Sequence, residues 1–497
     1  MDVSKASGAI TGDFNKDIQR LKDIFKDDQT VVYRVFSNKD NTINCCIVFV
    51  DPMVDKGTIN EHIIEPIMES SGNNDEVQNE NVIRYLSKNV LSSNDIEMVF
   101  DEGQIVTNIL FGNTLLFCEG TEGGLVIDTK GWKTRSVEAP QVEGVVRGPK
   151  ESFNESIDTN LCLIRRKICS PQLKFRYRKI GSTTQTNICI CYMENLVSKE
   201  ILDELYKRLN SISIDRILES GYIEELIKDH PGSPFNTIGN TERPDVIAAK
   251  LLEGRIAIVC DGSPFVLTVP YLFIEYFQTN EDYYDNYFYG TLNRLIRFFS
   301  FFLSTSIPAI YIAILTYHQE MIPTPLLLSI AVAREGVPSP TVVEAVVMLL
   351  IFEVLREAGT RLPKNIGQTV SIIGGLVLGD AAVKASMVSA PMVIIVATTG
   401  ICSFVLPKMA SVIIIVRIIF IAAATVLGLY GYIFAAIGIS FYMMSMKSFG
   451  VDYMAKLSLI DKDNITDTAI RAPWWFAEKK PKFIIKKLLK YKEVGKR

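Results

Sequence analysis

The chain has 497 residues, a formal net charge of −4 and an apolar content of 48%, but its apolar residues are distributed very unevenly. Residues up to about position 295 have the composition of a soluble protein, and four apolar tracts follow. A bilayer core requires roughly 20 apolar helical residues. This distribution excludes an ordinary soluble protein and predicts an integral membrane protein with a large polar N-terminal half.

The start of the chain, MDVSKASGAITGDFNKD, lacks the basic and apolar regions of a secretory signal, so we expect the N-terminal half to remain in the cytoplasm. The nine cysteines include no C-x-x-C pair, which favours reduced, buried thiols over a disulfide framework. The three histidines show no metal-ligand spacing. We therefore expect neither a metal site nor a bound cofactor.

Short β-rich runs alternate with helical patterns in the soluble half, which predicts an α/β fold of two subdomains, residues 1–140 and 141–295. In the first subdomain, helices are predicted at Gly12 to Phe25, Thr58 to Met68 and Asn81 to Leu91, and strands begin at Val31, Ile43, Ile105, Thr114 and Gly124. In the second, helices are predicted at Ser152 to Ile168, Ser198 to Leu209 and Asp215 to Leu226, and strands begin at Leu173 and Thr186. Two further strand runs flank Asp261-Gly262, the strongest hairpin signal in the chain.

The four apolar tracts run from Phe298 to Tyr317, Thr341 to Ala358, Thr369 to Leu406 with an interruption, and Ser411 to Met446. The last would be about 54 Å long as a single helix, so it must tilt, protrude or bend, and Gly428 or Gly431 is the expected bend. Its one charge, Arg417, lies near an end and is expected to reach the membrane surface.

The distribution of positive charge predicts the orientation. Arg294 and Arg297 precede the first tract, the following segment from Tyr317 to Pro325 has no Lys or Arg, and the C-terminus is strongly basic. Both termini are then cytoplasmic and the number of crossings is even. We expect about four crossings in an all-α polytopic membrane domain, residues 296–446.

The remaining residues, 447–497, form a predicted cytoplasmic tail with nine Lys or Arg and one acid from Lys479 onward. Phe483, Ile484, Leu488 and Tyr491 lie near one face of the helix that this segment would form. A basic amphipathic helix close to a membrane segment favours binding to anionic lipid over binding to nucleic acid.

The second apolar tract carries four ionisable residues, Glu344, Glu353, Arg356 and Glu357, and Arg361 follows three residues after its end. Successive helical residues rotate by about 100°, so Glu353 shares a broad face with Arg356 and Glu357, while Glu344 lies on the opposite face. Charges in a membrane segment usually line water or pair with one another. Both interpretations remain open, a face contacting water or ions and a buried ionic network.

Small residues recur at every fourth position in the third tract, at Ser371, Gly375 and Gly379. Such a stripe lets helices pack closely, and in an oligomer it can line a narrow pore with a hydrophobic gate. For the pore interpretation the candidate gate residues are Val370, Val377 and Val383.

Enzyme signatures are not found in the sequence. The glycine-containing runs RGPKESF, from Arg147, and DGSP, from Asp261, match neither a Walker loop nor a dinucleotide-binding fingerprint. No G-x-S-x-G elbow is present. We therefore do not expect an enzyme.

Four segments resemble the A subunit of the GerA-type spore germinant receptors. They are RGPKESFNES from Arg147, TNLCLIRRK from Thr159, ERPDVIAAKLLEGRIAIVCDGSPFVLTVP from Glu242, and the run from Arg334 that begins REGVPSPTVVEAVV. The resemblance extends from about Asn15 to the tail. Asp380 stands where the family pattern has a neutral polar residue, which puts an ion-selective role for Asp380 in doubt.

The resemblance implies a multi-pass protein of the spore inner membrane, with a transporter-like B subunit and a lipoprotein C subunit as partners. It further implies that the chain assembles into a homo-oligomer forming a nutrient-gated channel for monovalent cations. The alternative is a non-conducting membrane scaffold that assembles the receptor complex through its soluble domain. Secondary transport ranks last because the sequence shows no inverted repeat with two broken helices.

Overall fold

The computed structural model of the chain describes residues 13–70, 82–93, 95–132, 143–145, 147–362, 377, 379–455, 468, 470, 471 and 473. An N-terminal α/β half with two sheets precedes a helical C-terminal half with long apolar helices. The predicted fold class is therefore confirmed. The domain boundaries at residues 140, 295 and 446 remain predictions.

The first subdomain is built on a five-stranded antiparallel sheet with the order β1-β2-β4-β5-β3. Its strands are β1 (Val31–Ser37), β2 (Asn44–Val50), β3 (Ile96–Val99), β4 (Asn113–Cys118) and β5 (Gly124–Asp128). Its helices are α1 (Phe14–Ile24), α2 (Lys56–Ile59), α3 (Glu65–Glu69), α4 (Val82–Tyr85) and α5 (Glu102–Leu110). The helical turns Asn60–Ile64 and Leu86–Val90 are π-helical.

The second subdomain has the same strand order, β6-β7-β9-β10-β8, and is also antiparallel. Its strands are β6 (Leu173–Ile180), β7 (Thr186–Met193), β8 (Gly239–Thr241), β9 (Ile256–Cys260) and β10 (Val266–Val269). Its helices are α6 (Ile157–Lys167), α7 (Lys199–Ser211), α8 (Ser220–Ile227) and α9 (Pro244–Leu252). The hairpin predicted at Asp261-Gly262 joins β9 to β10, as expected.

The two subdomains are structural repeats of one another. Equivalent strands begin at residues 31 and 173, 44 and 186, 96 and 239, 113 and 256, and 124 and 266, so the offset is always 142 or 143 residues. The first helix of each subdomain, at residues 14 and 157, and the helix before the fourth strand, at residues 102 and 244, follow the same offset. A constant offset across seven elements indicates an internal duplication, which was not predicted from the sequence.

One strand prediction in the first subdomain is wrong. Residues from Ile105 to Leu110 form most of helix α5, because Asp101 caps the helix by accepting a hydrogen bond from the Gln104 N–H. The apolar side chains then fall on one buried helix face. The short edge strands β3 and β8 were not predicted, since four and three residues give too little alternation to recognise.

The C-terminal half contains the helices α10 (Tyr287–Tyr317), α11 (Thr324–Arg334), α12 (Thr341–Arg361), α13 (Ala390–Phe404) and α14 (Ala410–Ser445). Among the described residues, two helical segments are long and apolar enough to cross a membrane, Tyr287–Tyr317 and Pro407–Ser445. The four predicted apolar tracts overlap α10, α12, α13 and α14 in turn. Two short strands, β11 (Lys447–Ser448) and β12 (Val451–Asp452), follow α14.

Helix α14 is a hairpin of two antiparallel halves. Its backbone is non-helical at Gly428, which has a φ of 62° and a ψ of −141°. The rings of Phe420 and Tyr432 are 5.2 Å apart, whereas twelve residues of straight helix would separate them by about 18 Å. The predicted bend at Gly428 is therefore confirmed, and it reverses the chain direction. The halves, residues 410–427 and 429–445, are about 27 and 25 Å long.

Both ends of this hairpin lie against the second subdomain. At its start, the Lys408 Nζ is 2.8 Å from Glu143 and 3.3 Å from the Asn240 carbonyl oxygen. After its end, the Ser448 hydroxyl accepts a hydrogen bond of 3.0 Å from the Tyr271 N–H. At the turn, the Tyr317 hydroxyl donates to the Thr425 carbonyl oxygen at 2.7 Å. The last residue of α10 therefore fixes the end of the hairpin that is remote from the subdomain.

Candidate functional site

An ion pair between a buried arginine and a partly buried glutamate joins two helices of the C-terminal half. The Arg417 side chain, 3% exposed, lies on the first half of α14, and its Nη1 is 3.2 Å from the Glu353 Oε1 on α12. The Arg356 Nη2 lies 2.6 Å from the Glu353 Oε2. The prediction that Arg417 reaches the membrane surface is wrong, because its guanidinium is held in the helix bundle by partners that are distant in sequence.

The same arginine also contacts α10. Its Nε donates a hydrogen bond of 2.8 Å to the carbonyl oxygen of Ser304. Pro308 follows Ser304 by four residues inside α10 and has no N–H to complete the helical hydrogen bond. Arg417 thus satisfies a carbonyl that proline leaves free, and one guanidinium connects α10, α12 and α14. Its Nη2 is buried and has no hydrogen-bond partner among the described residues.

Glu344 occupies a separate buried polar site on the other face of α12. It is 1% exposed, and its Oε2 accepts hydrogen bonds from the Ser389 N–H at 3.1 Å and the Ser389 hydroxyl at 2.8 Å. Ser389 is the N-cap residue of α13, where a carboxylate is favourably placed against the helix dipole. The Arg334 Nη2, at the end of α11, lies 3.2 Å from the other oxygen of Glu344. Glu344 therefore ties α11 and α13 to α12.

The remaining predicted site residues do not belong to the Arg417 or Glu344 sites. Glu357 and Arg361 pair at 2.7 Å with side-chain exposures of 63% and 78%, apart from Glu353. Val370, Ser371 and Gly375 lie outside the described residues. Val377 is 54% exposed, and Gly379 is buried beside Val393. The roles of all ten predicted site residues remain predictions.

A second charged cluster lies where the soluble half meets α10, and it was not predicted from the sequence. Glu275 is 5% exposed, and its carboxylate contacts both Arg255 and Lys250. Burial would raise the pKa of Glu275, but the Arg255 and Lys250 cations hold that pKa below its ordinary value. Burial, reinforced by the nearby Arg255 cation, lowers the pKa of Lys250. The cluster depends on Glu275 remaining ionised.

Asp282 forms the adjoining contact with α10 itself. Its carboxylate is 3.0 Å from the Arg294 Nε and 2.8 Å from the Arg297 Nη1. The Arg294 Nη1 also donates to the carbonyl oxygen of Thr468 at 3.3 Å, so a residue beyond α14 lies at the same place. From the sequence, these two arginines were interpreted only as an orientation signal. The signal that would have identified the cluster is the density of acids in the segment before α10, which includes Glu281, Asp282 and Asp285.

Metal binding finds no support in the described part of the chain. No group of three or more His, Cys, Asp or Glu side chains is placed there to hold a metal ion. What the geometry provides is a set of buried ion pairs connecting membrane-type helices to one another, and a charged junction connecting them to the soluble half.

Comparison with known proteins identifies relatives over nearly the whole chain. The family described as Bacillus/Clostridium GerA spore germination protein matches residues 19–483. Spore germination protein KA of Bacillus subtilis strain 168 is 41% identical over 467 residues, covering 94% of this chain and 85% of the relative. Spore germination protein GerLA of Bacillus cereus is 36% identical over 479 residues, covering 96% of both chains. Spore germination protein B1 of Bacillus subtilis strain 168 is 35% identical over 478 residues, covering 95% of this chain and 97% of the relative.

Among solved structures, the soluble half is similar to the crystal structure of the N-terminal domain of the A subunit of the Bacillus megaterium spore germinant receptor GerK3. The identity is 30% and the TM-score 0.43, covering 54% of this chain and 99% of that domain.

Proposed function

The chain belongs to the GerA family of spore germination proteins, and from this premise we propose that it is the A subunit of a nutrient germinant receptor in the spore inner membrane. In this proposal, copies of the chain assemble into a channel for monovalent cations that opens in response to nutrient. Its partners are a transporter-like B subunit and a lipoprotein C subunit. The basic tail binds anionic lipid, not nucleic acid.

Topology supports a placement in which the N-terminal half and the residues after α14 lie on the same side of the membrane, and the basic tail assigns that side to the cytoplasm in this proposal. The chain leaves the second subdomain at α10, returns to it at Lys408, and returns again at Ser448 after the α14 hairpin. Each excursion that starts and ends on one side of a membrane makes an even number of crossings. If α10, α13 and the two halves of α14 each cross once, the total is the predicted four.

The observation that carries the channel proposal is the surface of α12. Its buried face, with Ala345 and Leu349, packs into the helix bundle. On its other side, a stripe of residues between 41% and 63% exposed runs along the helix: Val343, Val347, Leu350 and Val354. The charges of α12 at Glu344 and Glu353 are occupied by protein partners. An apolar stripe repeated around an oligomer axis is the type of surface that closes a pore by dewetting.

A scaffold without conductance is the second candidate, and the ion pairs favour it. Glu344, Glu353 and Arg417 are all engaged by groups on other helices, which is what a structural core requires. Under this alternative the helical half anchors and oligomerises the chain, and the soluble half recruits the partner subunits.

Cation leak through the full-length chain in liposomes distinguishes the two functions. We expect purified oligomers to conduct monovalent cations. We expect Leu350→Ala, on the exposed stripe of α12, and Val377→Ala, at the gate predicted from the sequence, to change the resting leak, because each removes bulk from the proposed pore. Val426→Ala is the matched control, since Val426 is a 70% exposed valine on α14 outside the proposed pore. An unchanged leak for alanine substitutions at Leu350, Val370, Val377 and Val383 would remove the pore assignment. Absence of any conductance, with binding of the partner subunits retained, would favour the scaffold.

A further inference from the structure

Two cysteine thiols face each other in the sheet of the first subdomain. Cys45 on β2 and Cys118 on β4 are register partners in adjacent antiparallel strands. Their sulfur atoms are 2.8 Å apart, and the residues are 0% and 2% exposed. The proposed function makes no use of this pair.

The strand register gives the pair a geometry that a disulfide requires. The next register pair is Asn44 and Glu119, where the Glu119 N–H donates to the Asn44 carbonyl oxygen at 3.0 Å. Hydrogen-bonded and non-hydrogen-bonded pairs alternate along antiparallel strands, so Cys45 and Cys118 form a non-hydrogen-bonded pair with Cα atoms about 4.5 Å apart. Disulfides join residues whose Cα atoms are about 4.4 to 6.8 Å apart. A bond between the two sulfurs therefore needs no rearrangement of the sheet.

The second subdomain shows that the fold does not require two thiols at this position. The equivalent register pair there is Ile188 and Cys260. The backbone is the same, since the Asp261 N–H donates to the Asn187 carbonyl oxygen at 3.0 Å. The duplication thus provides an internal comparison in which one cysteine is replaced by isoleucine and the sheet is retained.

The thiols lie close to the surface, although they are buried. Asn44 is partly exposed and Glu119, one residue after β4, is exposed, and the Asn44 amide donates to the Glu119 carboxylate at 2.6 Å. Cys45 and Cys118 belong to the hydrophobic core on the other face of the sheet, so a small reagent reaches their sulfurs through local opening of these strand ends and the core beside them. Local opening of strand ends occurs at much lower free energy than global unfolding.

We propose that Cys45 and Cys118 are a modification site at which a low-molecular-weight disulfide forms a reversible intrachain cystine. One thiolate attacks the small disulfide, giving a protein mixed disulfide and releasing one small thiol. The second cysteine then attacks the mixed disulfide, forms the Cys45–Cys118 bond and releases the second small thiol. The two protein thiols lose two electrons and two protons, which reduce one small disulfide to two thiols.

The cystine would lock β2 to β4 and enclose the intervening segment, which contains α2 to α5 and β3. A cross-link that closes a long loop restricts the unfolded chain, so the oxidised subdomain unfolds at a higher temperature. The hydrogen bond with the neighbouring Cys45 thiol, together with burial, raises the pKa of the Cys118 thiol. The reaction with a small disulfide therefore becomes faster as the pH rises, because more thiolate is present.

The test uses the full-length chain in membranes, with 2,2′-dithiodipyridine as the small disulfide. Each cystine releases two thiopyridones, whereas a single cysteine releases one. We expect the peptides containing Cys45 and Cys118 to be recovered linked to each other, and the link to disappear after reduction. Cys169, which is partly exposed, reports that the reagent has reacted. Free thiols or separate mixed disulfides at positions 45 and 118, after Cys169 has reacted completely, would overturn the proposal.

The matched variant is Cys45→Ile, which reproduces the pair seen in the second subdomain. It is expected to fold, to form no cystine, and to show no rise in unfolding temperature on oxidation. Cys260 in the unmodified chain is the internal control, because it occupies the position equivalent to Cys118 but its register partner is Ile188 and not a cysteine. A rise in unfolding temperature that persists in Cys45→Ile would assign the effect to another cysteine and contradict the proposal.

Discussion

The guanidinium of Arg417 donates a hydrogen bond to the Ser304 carbonyl oxygen, which the proline four residues later leaves without its helical partner. A charged group and a helix-breaking residue are both costly inside an apolar bundle, yet here each supplies what the other lacks. Glu353 balances the remaining charge at 3.2 Å. The arrangement fixes α10, α12 and the first half of α14 in one relative position.

Removing one partner of the buried ion pair is expected to destabilise the chain strongly. Glu353→Leu leaves the Arg417 charge buried beside an apolar side chain, and such uncompensated charges cost on the order of 3–5 kcal/mol. The expected result is a clear drop in the unfolding temperature of the detergent-solubilised chain. The double variant Glu353→Leu with Arg417→Met, which removes both charges, is expected to recover part of the loss.

The exposed pair of Glu357 and Arg361 is the control for this experiment, since it lies on the same helix. Exposed ion pairs contribute about 0–1 kcal/mol, so Glu357→Leu should leave the unfolding temperature nearly unchanged. Equal effects at Glu353 and Glu357 would contradict the assignment of Glu353 to a buried pair.

Pro308 and Arg417 are expected to be energetically coupled although they are on different helices. Pro308→Ala supplies an N–H for the Ser304 carbonyl, so the hydrogen bond from Arg417 becomes less important. The cost of Arg417→Met should then be smaller in the Pro308→Ala background than in the unmodified chain, by about 1 kcal/mol, the usual net value of a hydrogen bond. A double-mutant cycle on unfolding free energies measures this coupling. Strict additivity would show that the Ser304 contact contributes nothing.

The sequence predicted this part of the molecule incompletely for a physical reason. The helix lengths and the bend at Gly428 follow from local composition, and both were recognisable. The environment of Arg417 depends on a carbonyl 113 residues away, and no local pattern encodes that contact. Arg417 was therefore wrongly predicted to reach the membrane surface.

The soluble half shows the same contrast between local and non-local information. Long strands such as Leu173–Ile180 and Thr186–Met193 were predicted within a residue, because their alternation is strong. Most of the helix at Glu102–Leu110 was wrongly predicted as a strand. The equivalent helix of the second subdomain begins with Pro244, and proline is favoured in the first turn of a helix, so that sequence indicates a helix at this position. Recognition of the offset between the two subdomains would have corrected the error from sequence alone.

The reversal of α14 predicts an unusual sensitivity at one glycine. A Cβ at Gly428 would lie 3.0 Å from the Tyr317 Cβ and 3.1 Å from the His318 Nε2, and the backbone has a φ of 62°. Gly428→Ala is therefore expected to cost about 1–3 kcal/mol, the usual range for a residue forced into such a conformation. Gly438 lies in the same helix, and a Cβ added there would meet nothing within 4 Å, so Gly438→Ala is the matched control.

The hairpin also predicts which positions share one side of the membrane. Lys408 precedes α14 and Lys447 follows it. The single variants Lys408→Cys and Lys447→Cys should therefore both react at the new cysteine with an impermeant maleimide added to the same side of sealed vesicles. A single straight helix of this length would place them on opposite sides. Labelling from opposite sides would therefore refute the hairpin, whatever the effect of Gly428→Ala on stability.

The junction cluster predicts that stability is lost in acid. The folded chain holds the pKa of Glu275 below its ordinary value of 4.5, chiefly because the Arg255 and Lys250 cations outweigh the effect of burial. Ionised Glu275 therefore stabilises the folded state above the ordinary value, and this contribution is lost as the pH falls through the lower, folded pKa. The unfolding temperature of the full chain should decrease as the pH is lowered from about 6 to about 3.

Glu275→Gln removes the titrating group, so it should weaken this pH dependence. It should also lower stability at neutral pH, because Arg255 and Lys250 lose their anion. Glu122→Gln, at an exposed acid of the first subdomain, should preserve the dependence. If Glu275→Gln retains the full acid sensitivity of the unmodified chain, the loss of stability arises at other carboxylates.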